Sequence, residues 1–106
     1  MIDIAPQYLL IVNNILKKHI SEYEVRAFGS RVMDKAKTYS DLDLVVMSTH
    51  ALDKKILYAL EEELAESDLP FRVEILDWQT IPETFRKIIN EKYETIQLAT
   101  RIQSFT

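Results

Sequence analysis

FGSRVMDKAKTYSDLDLVVM, residues Phe28–Met47, holds the chain's only glycine, Gly29, followed directly by Ser30. Ten residues then separate Ser30 from two carboxylates in alternation, Asp41 and Asp43, which head an apolar run. A residue without a Cβ lets the backbone come close to an anion and aim its amide groups at it. Ser30 adds a hydroxyl donor. Residues two apart in a strand point to the same face, so Asp41 and Asp43 present their carboxylates together. A turn of this kind beside paired carboxylates is what a site needs to hold a triphosphate and its metal.

The flanking segments extend this reading. Leu42, Leu44 and Val46 form the core face of the strand, which leaves Asp41, Asp43, Val45 and Met47 on an open face. Arg31, Lys35 and Lys37 make the intervening segment basic and suit it to the outer phosphates. Glu24–Phe28 is a short strand that stops at Gly29 and runs antiparallel to the strand starting at Asp41. Residues 51–67 form an amphipathic helix on the stripe Leu52, Ile56, Leu57, Leu60 and Leu64, with Glu61, Glu62 and Glu63 as a solvated face. A helix of that length makes a right-handed crossover, so the next strand, Phe71–Leu76, lies parallel to the second. Phe71, Val73 and Ile75 face the core, and Arg72, Glu74 and Leu76 take the other side. Glu74 thereby joins Asp41 and Asp43. A glutamate amid an apolar strand has poor propensity and is costly to desolvate unless it is paired or metal-bound. Three such carboxylates are hard oxygen ligands suited to Mg²⁺. Two ions about 4 Å apart can activate a hydroxyl and steady a leaving pyrophosphate. Asp77 points the other way, at the strand end.

The rest of the chain supplies the frame. Pro6–His19 reads as a first helix, with Pro6 at its start and the stripe Leu9, Val12, Leu16 and Ile20. Lys17, Lys18 and His19 suit the negative end of its dipole, and neither His19 nor His50 has a visible partner. Thr80 is the expected cap of a third helix with Pro82 in its first turn, and residues 92–98 read as either a last strand or a continuation of that helix. With 106 residues and nearly half of them apolar, the expectation is one α/β (α+β) domain over 1–106, a small mixed sheet of three or four strands flanked by helices. No apolar run reaches the roughly 18 residues of a membrane span, no signal pattern opens the chain, and there is no cysteine. A cytoplasmic protein is expected. The net charge of −4, with basic residues interleaved among acidic ones, disfavours a grip on polymeric nucleic acid and favours a small nucleotide.

The pattern Gly29-Ser30, ten residues, Asp41-Leu42-Asp43 resembles the signature of the DNA polymerase β-like nucleotidyltransferase superfamily. In length and element order the chain is similar to its smallest branch, the minimal nucleotidyltransferase (MNT) domain proteins. The resemblance implies the nucleotidyltransferase fold, Mg²⁺ and ATP. It implies Gly29, Ser30 and Arg31 at the β and γ phosphates, and Asp41, Asp43 and Glu74 as metal-binding and catalytic carboxylates. Glu74 stands where the family usually has an aspartate, and Met33 and Asp34 replace a basic residue and a glycine common after the arginine. Stand-alone members commonly pair as antitoxins with a HEPN-domain toxin, and some transfer AMP from ATP to a tyrosine of that toxin. Two further functions fit the same residues: a non-catalytic module that neutralises a HEPN partner by binding, and a nucleotidyltransferase acting on a small hydroxylated molecule.

Overall fold

A computed structural model describes residues 2–100. The order is α1 (Pro6–Ile20), β1 (Glu24–Phe28), β2 (Leu42–Met47), α2 (Lys54–Glu66), β3 (Val73–Asp77), a 3₁₀ turn (Trp78–Thr80), α3 (Glu83–Glu91) and β4 (Glu94–Gln97). The four strands form one mixed sheet in the order β3-β2-β1-β4. β1 is antiparallel to β2 and to β4, and β2 is parallel to β3 across the α2 crossover.

One face of the sheet carries the main core. Val25 and Ala27 of β1, Leu42, Leu44 and Val46 of β2 and Ile75 of β3 meet Val12, Ile15, Leu16 and Ile20 of α1 and Leu60 and Leu64 of α2. The α2 stripe is narrower than its pattern suggests. Asp53 caps the helix, its side chain accepting from the Lys55 amide at 2.8 Å, so Ala51 and Leu52 precede it. Ile56 is then turned out, 39% exposed. His19 has a partner that local sequence does not reveal: its Nε2 lies 2.7 Å from the Glu63 carboxylate, which Lys18 also reaches at 3.0 Å. The ends of α1 and α2 are tied there.

The opposite face is open only at its carboxylate end, contrary to the expectation for Val45 and Met47. α3 covers the remainder, and Val45, Phe28 and Ile89 form a second core with Met47, Leu76, Trp78, Ile81 and Phe85. Val45 is fully buried. The start of α3 also differs from the sequence reading. Pro82 is its N-cap, and Thr80 belongs to the preceding 3₁₀ turn, where its hydroxyl donates to the Asp77 carbonyl at 3.0 Å. The turn forms because the Asp77 carboxylate accepts from the Gln79 amide at 3.1 Å. Ile88, next to the buried Ile89, is turned out and 59% exposed.

The last strand lies at the β1 edge. Gln97 fastens it by donating from its side-chain amide to the carbonyls of Ile20 and Tyr23 at 3.0 and 2.9 Å. The two-sided packing makes β2 the strand on which stability depends most. Leu44→Ala, in the fully buried middle of β2, is expected to lower the unfolding free energy by about 3 kcal/mol in urea titrations. Tyr58→Ser on the exposed side of α2 is expected to change it by less than about 0.5 kcal/mol.

Candidate active site

The register brings the predicted residues to one end of the sheet. Phe28 is opposite Asp43 in the β1–β2 pair, and Glu74 is opposite Asp43 in the β2–β3 pair. Asp43 therefore sits between Glu74 on one side and the Phe28–Gly29 turn on the other. Gly29 has φ +82°, a conformation that side chains rarely adopt. A Cβ at this position would collide with the Asp43 carboxylate. The glycine thus serves the turn and the carboxylate at once.

Beyond Gly29 the chain makes a tight, self-bonded turn. The Gly29 carbonyl accepts from Val32 and Met33 at 3.0 and 3.1 Å, and the Ser30 carbonyl from Lys35 at 3.1 Å. Asp34 takes the left-handed conformation, φ +58°, where a glycine would be more at ease. The loop keeps that shape without one because aspartate tolerates the region better than most residues.

Arg31 is not brought to the carboxylates. It is 5% exposed, its guanidinium donates to the carbonyls of Ser40, Asp3 and Thr38 at 2.9, 2.8 and 3.1 Å, and it lies 4.3 Å over the Phe71 ring. The planar fork closes the 31–40 loop and pins the N-terminal segment to it. Lys35 and Lys37 are exposed on that loop.

Glu74 is exposed at the site mouth, so the desolvation cost expected for a mid-strand glutamate does not arise. That cost falls on Asp43. Burial, then the neighbouring Glu74 carboxylate, then Asp41 push the Asp43 carboxyl up to about 6, against a smaller opposing pull from Arg72. Asp77, the other aspartate of this sheet, is 5% exposed but satisfied: it accepts from the Ser48 hydroxyl, from the Leu52 amide at 2.7 Å and from the Gln79 amide. It fastens loops.

Sequence reasoning missed Arg72 as a member of the site. Its guanidinium lies 2.9 Å from the Asp41 carboxylate. The pair joins residues 31 apart, so only the strand register reveals it. Among the described residues, no group of three or more carboxylate, histidine or cysteine side chains is already arranged to hold a metal. The donor set still fits a divalent cation. Asp41, Asp43 and Glu74 offer hard oxygens on one face, and Asp43 is raised by burial first and then by the neighbouring carboxylates.

Two outcomes follow from this geometry. Arg31→Lys is expected to lower the unfolding free energy by about 2 kcal/mol, because an ammonium cannot fork to three carbonyls. An unchanged urea midpoint would leave the guanidinium available for phosphate. Asp43 has a folded value above its unfolded one, so its ionisation costs stability as pH rises from about 4 through about 6. In metal-free buffer Asp43→Asn is therefore expected to be about 1 kcal/mol more stable than the parent at pH 7.5, after allowance for solvent screening. Thermal or urea unfolding across that pH range should show the advantage shrinking towards pH 4.

A family model described as polymerase beta, nucleotidyltransferase, matches residues 11–99. Over 96 residues the chain is 50% identical to a Haemophilus influenzae protein described as a probable protein adenylyltransferase MntA, covering 91% of this chain and 84% of that relative. A chain of a crystal structure of a toxin–antitoxin with AMP-PNP superposes with a TM-score of 0.71 at 19% identity, over 90% of this chain and 75% of its own. A complex of a tri-AMPylated HEPN toxin from Shewanella oneidensis with an MNT antitoxin gives 0.66 at 19% identity, over 88% and 71%. These two structures share the fold. On the family match and the half-identical relative, the chain belongs to the polymerase β-type nucleotidyltransferase family.

Proposed function

We propose that residues 1–106 act as one nucleotidyltransferase domain, an antitoxin that transfers AMP from ATP to a tyrosine hydroxyl of a HEPN-domain toxin in the cytoplasm. The observation that carries the reading is the contact of the Gly29 turn with Asp43, while Glu74 stands beside Asp43 on the opposite flank. Phosphate-binding backbone and metal-binding carboxylates are thereby adjacent. The identity to a probable protein adenylyltransferase supports a protein acceptor.

In this reading the amide groups after Gly29 and the Ser30 hydroxyl would hold the β and γ phosphates. Asp41 and Asp43, with Glu74, would hold Mg²⁺, which would offset phosphate charge and sharpen the nucleophile. Arg31 acts from behind the loop, keeping its shape. The tyrosine oxygen attacks the α-phosphorus, a new O–P bond forms, and the bond to the β-phosphate oxygen breaks to release pyrophosphate. In the same reading Glu74 or Asp43 would assist the incoming hydroxyl by taking the tyrosine proton.

Incubation with ATP, Mg²⁺ and a cognate HEPN-domain protein is expected to raise the partner's mass by one AMP per modified tyrosine. Asp43→Asn should slow that transfer by about 100-fold or more. An unmodified partner at saturating ATP would defeat the enzymatic reading. Asp43→Ala rescuing cells from the toxin as well as the parent would favour neutralisation by binding alone.

A further inference from the structure

Arg72 and Asp41 face each other at the entrance of two parallel strands. The pairing Leu42 with Val73, and the Leu42 amide donating to the Arg72 carbonyl at 2.9 Å, set the residues just before them side by side. Arg72 shares the face of Glu74, two residues on, and reaches across to Asp41. Among the described residues it is the only cation in an ion pair with any of the three site carboxylates. The contact is also easily broken: the side chains are 75% and 38% exposed, and such pairs are worth between about 0 and 1 kcal/mol. Two facts therefore coincide. One carboxylate of the triad is held by a guanidinium, and the described carboxylates are not already arranged as a metal cage.

We infer that Arg72 is a displaceable counter-ion that occupies Asp41 in the nucleotide-free protein and must release it before Asp41 can serve a divalent metal. This rests on the reading of Asp41 and Asp43 as metal ligands. Physically, the carboxylates of Glu74 and Asp41 repel that of Asp43, and a tethered cation lowers that repulsion without closing the site. A guanidinium and a divalent cation compete for the same oxygens. An incoming triphosphate shifts the balance twice over: it brings anionic oxygens to the metal, and it gives the released guanidinium another anion to face. Metal loading is thus coupled to nucleotide loading, and the free protein resists taking metal alone. Arg72 is a positioning residue in this scheme.

The test is a Mn²⁺ titration of the full chain, followed by the electron paramagnetic resonance signal of free Mn²⁺, with and without ATP. Without ATP, Arg72→Gln is expected to bind Mn²⁺ about threefold to tenfold more tightly than the parent, the effect of deleting one positive charge near a divalent ion in a solvated site. Arg72→Lys, which keeps the charge, should lie near the parent. With ATP present the gap between Arg72→Gln and the parent should narrow. Because the side chain is exposed, both variants should keep the parent's unfolding midpoint. Equal or weaker Mn²⁺ binding by Arg72→Gln without ATP would overturn the counter-ion role and leave the metal site standing. No Mn²⁺ binding by either protein, with or without ATP, would overturn the role together with the metal reading.

Discussion

The backbone of Gly29 and the carboxylate of Asp43 lie in contact, and much of the fold serves to hold them there. β1 must end where β2 begins, and the antiparallel register that places Phe28 opposite Asp43 does this. The turn must then leave β1 with a positive φ, which only a residue without a Cβ adopts at low cost. Any larger residue at position 29 meets two penalties together, a strained backbone and a clash with the Asp43 carboxylate. The sheet beneath is packed on both sides, by α1 and α2 below and by α3 above, so neither strand can shift to relieve the clash. A site held by packed strands keeps its geometry better than one held by loops.

Asp43 and Asp77 show how one residue type serves opposite ends in the same sheet. Asp77 is the more buried, yet a hydroxyl and two amides donate to it, so its charge is met by dipoles and binds three segments together. Asp43 is half-buried and faces the carboxylates of Glu74 and Asp41, so burial first and like charge second make its ionisation unfavourable. A buried charge supplied with donors reads as structure. A half-buried carboxylate beside like charges and the Gly29 turn is the arrangement on which the proposed cation site rests.

Much of this was legible because the signals are local or follow chain geometry. Alternation in residues 41–47 sorts the faces of β2, a single glycine marks the turn, and the crossover rule carries Glu74 to Asp43 from thirty-one residues away. What escaped reading depends on partners that carry no sequence pattern. Arg31 sits next to the phosphate turn and suggests phosphate binding, but its acceptors are main-chain carbonyls of Asp3, Thr38 and Ser40, which any residue would supply. Arg72 and His19 find carboxylates on neighbouring elements, visible only once the strands and helices are assembled. The covering of the second face had a signal that went unused. Val45 and Met47 are apolar on a face read as open, and the apolar positions of the third helix were there to bury them.

Glu74 in place of the usual aspartate follows from where the three carboxylates sit. Asp43 is on an inner strand, hemmed by the Gly29 turn, and a longer side chain there would have to push into that backbone. Glu74 is on β3, which among the described residues is an edge strand, and its side chain is exposed. Among the described residues no strand pairs with its outer flank, so an extra methylene can be absorbed by a change of rotamer instead of a change of packing. The constraint on acid length is therefore strict at Asp43 and loose at Glu74, because backbone confines one carboxylate and solvent surrounds the other.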